Sequence, residues 1–256
     1  MRVTVCELPH EPELVAAAWA ALCEHTARHR SELVLLPEFA FVEPVWAAER
    51  FAAARWDAAV AACDGWLRRL PELQAAHVIG ARPVTIEGRP FNEGFLAALG
   101  GGVVPLRCKY FLPDEPGGWE SRWFTRGDRE FPSFAAGPLS FGLNICTELW
   151  ALETYGAYAS SGVQAILSPR ATAAATTDKW LAVGTVAAVR SGAYCLSSNR
   201  VHADGSCGGV SWIISPDGEL LARTSSQAPF RTLDIDVAAT AAAQRTYPRY
   251  AFTAGT

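Results

Sequence analysis

An uninterrupted apolar run, Leu33-Val34-Leu35-Leu36, is the strongest constraint on how this chain can fold. The run has the length of a strand, Pro37 stops it, and its lack of polar residues suits a strand that is buried on both faces. Segments predicted to be helical, Pro12–His29 and Phe51–Leu70, lie on either side of it. A strand covered on both faces and flanked by helices predicts an α/β fold.

Other strand-like segments alternate with helices along the rest of the chain. Two of them, Phe91–Leu99 and Val103–Tyr110, are joined by Gly100-Gly101-Gly102, which predicts a hairpin and therefore a mixed sheet. The remaining predicted strands are Val3–Cys6, His77–Ala81, Leu139–Ile145, Val163–Leu167, Ala193–Ser197, Gly209–Ser215, Glu219–Arg223 and Thr232–Ile235, and the remaining predicted helices are Leu149–Ser160 and Lys179–Ser191. Because neither a repeat nor a low-complexity linker is visible, we interpret residues 1–256 as a single domain.

Composition and charge exclude several classes of protein. Half of the residues are hydrophobic and 19% are charged, which is ordinary for a globular protein and argues against disorder. A net charge of -4 argues against a nucleic-acid partner, which would require a basic face. The longest apolar run, Leu14 to Cys23, is about half as long as a membrane span, so we expect no membrane association.

The cysteines and the N-terminal residues indicate a compartment. Seven cysteines are scattered along the chain, and no two of them stand at CxxC spacing. An odd number without such spacing is typical of a reduced intracellular protein rather than of a disulfide framework or a zinc site. The first residues also lack the pattern of a signal peptide. We therefore expect a cytoplasmic protein.

Three residues with possible chemistry stand where predicted strands end, which is where α/β folds bind ligands. Glu38 follows Leu36-Pro37, Lys109 lies at the end of the hairpin, and Cys146 lies where a strand gives way to a helix. A buried carboxylate can shuttle protons, a lysine can stabilise an oxyanion, and helix N-terminal amides stabilise a thiolate. Each also has an ordinary alternative, namely a solvated loop glutamate, a solvated strand end and a cysteine that packs as a small hydrophobe.

The three residues together favour nucleophilic catalysis. None of the five histidines lies in these strand-end motifs, so a Cys–His pair has no candidate. A thiol without histidine needs another base, and a desolvated glutamate is a suitable one.

At these positions the sequence resembles the nitrilase superfamily, the carbon–nitrogen hydrolases. The matching motifs are Leu36-Pro37-Glu38, Cys108-Lys109-Tyr110 and Ile145-Cys146-Thr147-Glu148, and the similarity extends over almost the whole chain. The second glutamate of the family matches Glu120, in the loop after the lysine. Residues 109–128 look most like the N-carbamoylputrescine amidase branch, as does Trp150, four residues after the cysteine.

The resemblance implies a fold, an assembly and a reaction. The implied fold is a four-layer αββα sandwich of two mixed sheets with outer helices, and members associate as homodimers or larger homo-oligomers through helices near the nucleophile. Cys146 would attack an amide or ureido carbonyl, Glu38 would be the base, and Lys109 with the Thr147 N–H would hold the oxyanion. Glu120 would orient Lys109 and the substrate nitrogen, or only anchor its loop. The resemblance implies neither a metal nor an organic cofactor.

Departures from the family pattern leave the substrate open. Glu148 replaces the usual aspartate two residues after the cysteine, and it could contact a cationic amine. Arg170 could bind a substrate carboxylate, or pair with Glu148 or Glu153 and only shape the pocket. Trp150 could form a pocket wall. The resemblance also allows a nitrile hydrolase or an acyltransferase, while a non-catalytic homologue is disfavoured because all four catalytic-type positions hold competent residues.

Overall fold

The computed structural model describes residues 1–252. The strands in this part of the chain are β1 (Arg2–Leu8), β2 (Leu33–Glu38), β3 (His77–Ile86), β4 (Arg89–Ala98), β5 (Val103–Cys108), β6 (Ser133–Ala136), β7 (Leu139–Leu143), β8 (Ala165–Arg170), β9 (Tyr194–Arg200), β10 (Trp212–Ile214), β11 (Leu220–Arg223) and β12 (Phe230–Asp234). The α-helices are α1 (Pro12–His29), α2 (Ala53–Leu67), α3 (Glu120–Trp123), α4 (Thr154–Ser160), α5 (Thr177–Ser191) and α6 (Ala239–Ala243). Short 3-10 helices span Val45–Ala47, Leu70–Leu73, Cys146–Trp150, Ala174–Thr176 and Arg249–Phe252. Within the described residues, no helix combines enough length with enough hydropathy to span a bilayer.

All twelve strands belong to one mixed sheet, which confirms the predicted α/β class. Nine of them follow the order β5-β4-β3-β2-β1-β9-β8-β7-β6, while β12 pairs with β1, and β10 and β11 extend from β9. The two halves of the sheet join where β1 runs parallel to β9, with Leu8 opposite Arg200. The predicted hairpin is present, because β4 and β5 pair antiparallel on either side of the glycines at 100–102.

The direction of the strands determines where the site can form. β1, β2 and β3 are parallel, and so are β7, β8 and β9. β5 runs in the same direction as β3, because two antiparallel pairings separate them. The C-terminal ends of β2, β5, β7 and β8 therefore meet at one edge of the sheet, which is where ligands bind in α/β folds.

Side chains on both faces of the sheet are buried in apolar clusters. In β2, Val34 and Leu36 pack with residues of α1 and α2, such as Trp19. Leu33 and Leu35 face the other way and pack with residues from β7, β8 and β9. A third cluster joins α4 and α5 to β8, β9 and β10. The apolar run is thus buried on both faces, as its composition predicted.

Several predicted boundaries differ from the observed ones; β3, for example, continues to Ile86 instead of ending at Ala81. Two of the differences affect the edge of the sheet where these strands end. β2 does not stop at Pro37 but continues to Glu38, because the register with β3 shifts between Leu35 and Glu38 and the proline lies at that irregularity. The predicted helix Leu149–Ser160 is instead a 3-10 helix over Cys146–Trp150 followed by α4. The break brings the cysteine into the first position of a tight turn.

Candidate active site

Lys109 lies at the centre of a cluster of buried charges at this edge of the sheet. Its Nζ is 2.9 Å from Oε1 of Glu38 and 2.8 Å from Oε1 of Glu120. All three side chains are almost completely buried. The backbone of Lys109 donates to the carbonyl of Asn92 over 2.8 Å, which continues the pairing of β5 with β4. Two carboxylates thus share one ammonium, and the cluster has an excess negative charge unless it binds a proton.

The pKa values of Lys109 and Glu120 both lie above their ordinary values. Burial alone would lower the pKa of Lys109, but the carboxylates of Glu120 and Glu38 hold this pKa above its ordinary value. Burial raises the pKa of Glu120 to about 7, with a further contribution from Glu38 and opposition from Lys109. The cluster therefore keeps its ammonium and can hold a proton on a carboxylate near neutral pH.

The carboxylate of Glu38 is oriented by two donors on one oxygen. Asn92 Nδ2 donates to Glu38 Oε1 over 2.7 Å, and Lys109 contacts the same oxygen. Among the described residues, neither Glu38 Oε2 nor Asn92 Oδ1 has a hydrogen-bond partner. Because buried polar atoms are almost always hydrogen-bonded, these two acceptors mark where a donor from a ligand or solvent fits.

Cys146 occupies a strained turn directly after β7. It begins a 3-10 helix with a backbone φ of 49°, a left-handed conformation that non-glycine residues rarely adopt. Burial and the carboxylates of Glu38 and Glu120 raise the pKa of the Cys146 thiol, while the Lys109 ammonium and a backbone hydrogen bond from Ala171 oppose them. A thiol in this environment is protonated at neutral pH and needs a base beside it.

A cavity of about 570 Å³ reaches the turn that holds the cysteine. Thr147 and Trp150 line it, together with Trp180 and the segment 111–115. The two indole rings meet edge to face, with centroids 5.7 Å apart. Thr147 lies in the first turn of a 3-10 helix, where backbone N–H groups lack intrahelical acceptors.

Glu148 lies behind this turn and not in the cavity. The side chain is fully buried, and Arg107 donates to both carboxylate oxygens, over 2.9 Å at Oε1. Oε1 also accepts the N–H of Tyr110 over 2.7 Å, and Oε2 accepts the N–H of Ile145 over 3.0 Å. The structure thus corrects the prediction of a substrate contact, because these four hydrogen bonds already occupy the carboxylate.

Arg170 also differs from both of its predicted roles. Its guanidinium donates to Ser197 Oγ and Thr172 Oγ1 over 2.6 Å and to the carbonyl of Val210 over 2.8 Å. It stacks on Trp212, 3.9 Å from the ring centroid, and is almost fully buried. It therefore pairs with neither predicted glutamate, since Arg107 binds Glu148 and Arg129 lies 3.7 Å from Glu153. Each of the three guanidinium nitrogens instead has an acceptor on a neighbouring segment of the protein.

Sequence reasoning did not identify Asn92 or Arg107. Asn92 is a polar residue inside the predicted strand Phe91–Leu99, and Arg107 stands two residues before Lys109. The predicted hairpin was a signal that could have found Asn92, because pairing across residues 100–102 brings the start of the first strand beside the end of the second, where Lys109 lies.

One group in residues 1–252 has the composition of a metal site, namely His10, Glu11 and His202. The two imidazole rings stack with centroids 4.9 Å apart and an interplanar angle of 14°. His202 Nε2 lies 3.2 Å from Glu11, and its Nδ1 lies 2.6 Å from Asp204. Ring stacking and these carboxylate contacts account for the group, which shares no residue with the cluster around Lys109.

The sequence profile of one family, described as carbon–nitrogen hydrolase, matches residues 2–245 of the chain. No curated protein sequence matches the chain significantly.

Solved structures of this kind are similar over nearly their whole length. A carbon–nitrogen hydrolase from Helicobacter pylori G27 has a TM-score of 0.86 at 19% identity, over 98% of this chain and 94% of that one. A CN-hydrolase superfamily protein from Xanthomonas campestris, with an arsenic adduct in its active site, has a TM-score of 0.80 at 19% identity, over 100% and 97%. An amidase from Nesterenkonia sp. has a TM-score of 0.73 at 21% identity, over 93% and 90%. At these identities the likeness establishes the fold.

Proposed function

Because this chain belongs to the carbon–nitrogen hydrolase family, we propose that it is a cysteine-dependent amidase that cleaves a linear or N-carbamoyl amide. The observation that carries the proposal is the buried contact of Lys109 with Glu38 and Glu120, next to the strained Cys146 whose thiol pKa responds to all three charges. A thiol, a base and a fixed cation are the components that acyl transfer through a thioester requires.

In the proposed reaction Glu38 is the base and Cys146 the nucleophile. The free Oε2 of Glu38 takes the thiol proton as sulfur bonds to the carbonyl carbon, and the π electrons move onto the carbonyl oxygen. Lys109 and the Thr147 N–H stabilise that oxyanion, and each fixed donor of this kind is worth about 3 kcal/mol in acyl transfer. The negative charge thus develops where the protein already holds positive charge.

The second half of the reaction returns the proton and releases the acyl group. Glu38 gives its proton to the departing nitrogen as the C–N bond breaks, so ammonia or an amine leaves and a thioester remains on Cys146. Water then loses a proton to the same carboxylate and attacks the thioester carbon. The acid or carbamate leaves, and the proton returns to the thiol. In this scheme Glu120 holds Lys109 in place, which its 2.8 Å contact supports.

The unsatisfied acceptors favour an amide over a nitrile. Glu38 Oε2 and Asn92 Oδ1 are buried without donors in the described part of the chain. An amide or ureido nitrogen carries N–H groups that can satisfy them, whereas a nitrile nitrogen carries none. A nitrile hydrolase is therefore a second candidate. An acyltransferase that uses the same thioester stands beside it, and a non-catalytic homologue is the third candidate.

The finer substrate class is also part of the proposal. The similarity of residues 109–128 to the N-carbamoylputrescine amidase branch favours an N-carbamoyl amide. Trp150, with the neighbouring Trp180, forms a wall for the apolar part of such a small molecule.

Assembly, fold detail and compartment complete the proposal. The three apolar clusters are those expected of a four-layer αββα sandwich. Exposed apolar side chains support a homodimer or larger homo-oligomer; they include Trp150, Leu152 and Val186. Seven free cysteines support a reducing, cytoplasmic location.

Ammonia release from a panel of compounds tests the proposed function. The panel holds N-carbamoyl amines, N-carbamoyl amino acids, simple amides and nitriles. We expect release from an amide or N-carbamoyl compound, loss of that release in Cys146→Ala, and its retention in Cys63→Ala, a control at a buried cysteine of α2. Release only from nitriles would favour the second candidate, and undiminished release by Cys146→Ala would refute the mechanism.

A further inference from the structure

One buried carboxylate, that of Glu148, connects the chain segment that carries Cys146 with the segment that carries Lys109. On one side Oε2 accepts the N–H of Ile145, the residue directly before the cysteine. On the other side Oε1 accepts the N–H of Tyr110, the residue directly after the lysine. These two segments come from β7 and β5, which lie in different halves of the sheet and do not pair with each other.

Arg107 completes the connection and leaves the carboxylate little freedom. Its guanidinium donates to both oxygens of Glu148, and the two side chains are 6% and 0% exposed. Bidentate pairs of this kind fix orientation as well as distance. Arg107 also stacks on Phe131, 4.2 Å from the ring centroid. We call these contacts of Glu148 with Arg107, Tyr110 and Ile145 the Glu148 clamp.

We propose that Glu148, held by Arg107, is a positioning residue that sets the distance between the Lys109 ammonium and the Cys146 thiol. The proposal rests on the proposed function, because it takes Cys146 as the nucleophile and Lys109 as the cation beside it. Glu148 acts through the backbone and touches no substrate.

The clamp matters because of the backbone conformation of Cys146. The cysteine has a left-handed backbone that is disfavoured without external support. Glu148 supplies that support from within the same turn, because its own N–H donates to the carbonyl of Ile145 while its carboxylate accepts the Ile145 N–H. Asn144 adds a hydrogen bond of 2.8 Å to the carbonyl of Glu148.

Charge and geometry predict opposite effects on the thiol, which makes the clamp testable. Replacing Glu148 with Gln removes a negative charge and leaves Arg107 unpaired, and both changes by themselves would lower the pKa of the Cys146 thiol. If the clamp sets the distance, its loss lets Lys109 and the sulfur move apart, and this change would raise the pKa of the thiol. A rise in the pKa of the Cys146 thiol therefore indicates that Glu148 positions Lys109, whereas a fall indicates an effect of charge alone.

The test measures alkylation of Cys146 by iodoacetamide against pH in the full chain, following the Cys146 peptide by mass spectrometry. The variants are Glu148→Gln, Glu148→Asp, which keeps the charge but shortens the reach, and the double variant Arg107→Gln/Glu148→Gln, which leaves no charge unpaired in case the single variant does not fold. The matched control is Glu93→Gln, which breaks another largely buried ion pair, with Arg82, on the neighbouring strands β3 and β4.

We expect each Glu148 variant to shift the alkylation profile to higher pH and Glu93→Gln to leave it in place. With an amide substrate, Glu148→Gln should lower kcat by about 100-fold and change KM by less than about threefold, as expected for displaced catalytic groups. A profile that stays in place or shifts to lower pH in the Glu148 variants would overturn the proposal, as would an equal shift in Glu93→Gln. Absence of any ammonia release by the wild type would instead count against the proposed function, since alkylation needs no substrate.

Discussion

At the scale of single residues, the main feature of the site is that two buried carboxylates share one cation. Lys109 is the ammonium that both Glu38 and Glu120 contact, and both carboxylates lie away from water. Burial raises the pKa of Glu120, and the neighbouring Glu38 raises it further, against the opposing effect of the Lys109 ammonium. The protonation of this cluster should therefore be visible in the stability of the protein.

Replacement of Glu120 by Gln should change how stability depends on pH. The pKa of Glu120 is higher in the folded protein than its ordinary 4.5. The contribution of the protonated Glu120 side chain to the stability of the fold is therefore fully present at a pH below this ordinary pKa, and it is lost as the pH rises towards 7. Glu120→Gln removes this loss and leaves Lys109 balanced by Glu38. The melting temperature of the variant relative to wild type should increase from about pH 5 to about pH 8 in thermal unfolding at constant ionic strength.

The control for this experiment is Glu87→Gln, at a side chain that is 83% exposed. Its melting temperature relative to wild type should be the same at each pH. A constant difference for Glu120→Gln as well would contradict the assignment of a raised pKa to Glu120.

Asn92 should be needed for activity although it carries no charge. Asn92→Ala removes the second donor to Glu38 Oε1, so the carboxylate can rotate and its free oxygen no longer has one fixed direction. We expect kcat to fall by about tenfold or more and the free energy of unfolding to fall by about 1–3 kcal/mol. Steady-state kinetics and denaturant unfolding measure the two effects.

Asn199→Ala is the matched control, because Asn199 is an equally buried amide that bonds to Thr172 and Gly209 instead of to Glu38. It should lose stability and keep its kcat. Full activity of Asn92→Ala would show that Lys109 alone orients Glu38.

At the scale of elements, the end of β5 depends on a close backbone contact with the loop that follows. A Cβ on Gly127 would collide with the backbone carbonyl of Cys108, the residue before Lys109. Gly127 also donates its N–H to the carbonyl of Lys109 over 3.0 Å. The loop thus packs directly on the strand end that carries the ammonium, and only a residue without a side chain fits there.

Gly127→Ala should therefore disturb both stability and catalysis. The added methyl group must push the backbone around Cys108, which should cost about 1–3 kcal/mol of unfolding free energy and lower kcat by displacing Lys109. Thermal unfolding and amide hydrolysis provide the measurements. Gly102→Ala, where no atom lies within 4 Å of the added Cβ, should behave as wild type, and equal behaviour of the two variants would contradict the packing argument.

At the scale of the whole molecule, exposed apolar side chains near α5 suggest assembly. Val186 on α5 is 47% exposed, and Trp150, which contacts Trp180 on α5, is 45% exposed. Phe252 is also exposed and lies against Arg190 at the end of the same helix. Exposed apolar groups around one helix are typical of a surface that another protein chain covers.

Size-exclusion chromatography with light scattering should therefore find a homodimer or larger homo-oligomer. Val186→Glu places a charge in this surface, where burial without a partner is unfavourable, so it should shift the protein towards the monomer. Leu99→Glu, at an exposed position next to the β4–β5 turn, should not change the mass. A monomeric wild type would refute the predicted assembly.

The sequence by itself determined the α/β class, the burial of both faces of β2 and the strand ends where Glu38, Lys109 and Cys146 stand. These features follow from local rules, because apolar runs and turn residues decide which elements form, and parallel strands end at a common edge. The hydrogen-bond partners of Glu148 and Arg170 were decided only by the tertiary structure.

The physical reason is that a buried polar side chain must find its partner among the groups that the fold brings within hydrogen-bond distance. For Glu148 these groups are Arg107 and two backbone N–H groups from separate segments, and for Arg170 they come from β9 and the segments near 172 and 210. Their proximity depends on strand register and on the crossing of distant segments, which no local pattern in the sequence encodes.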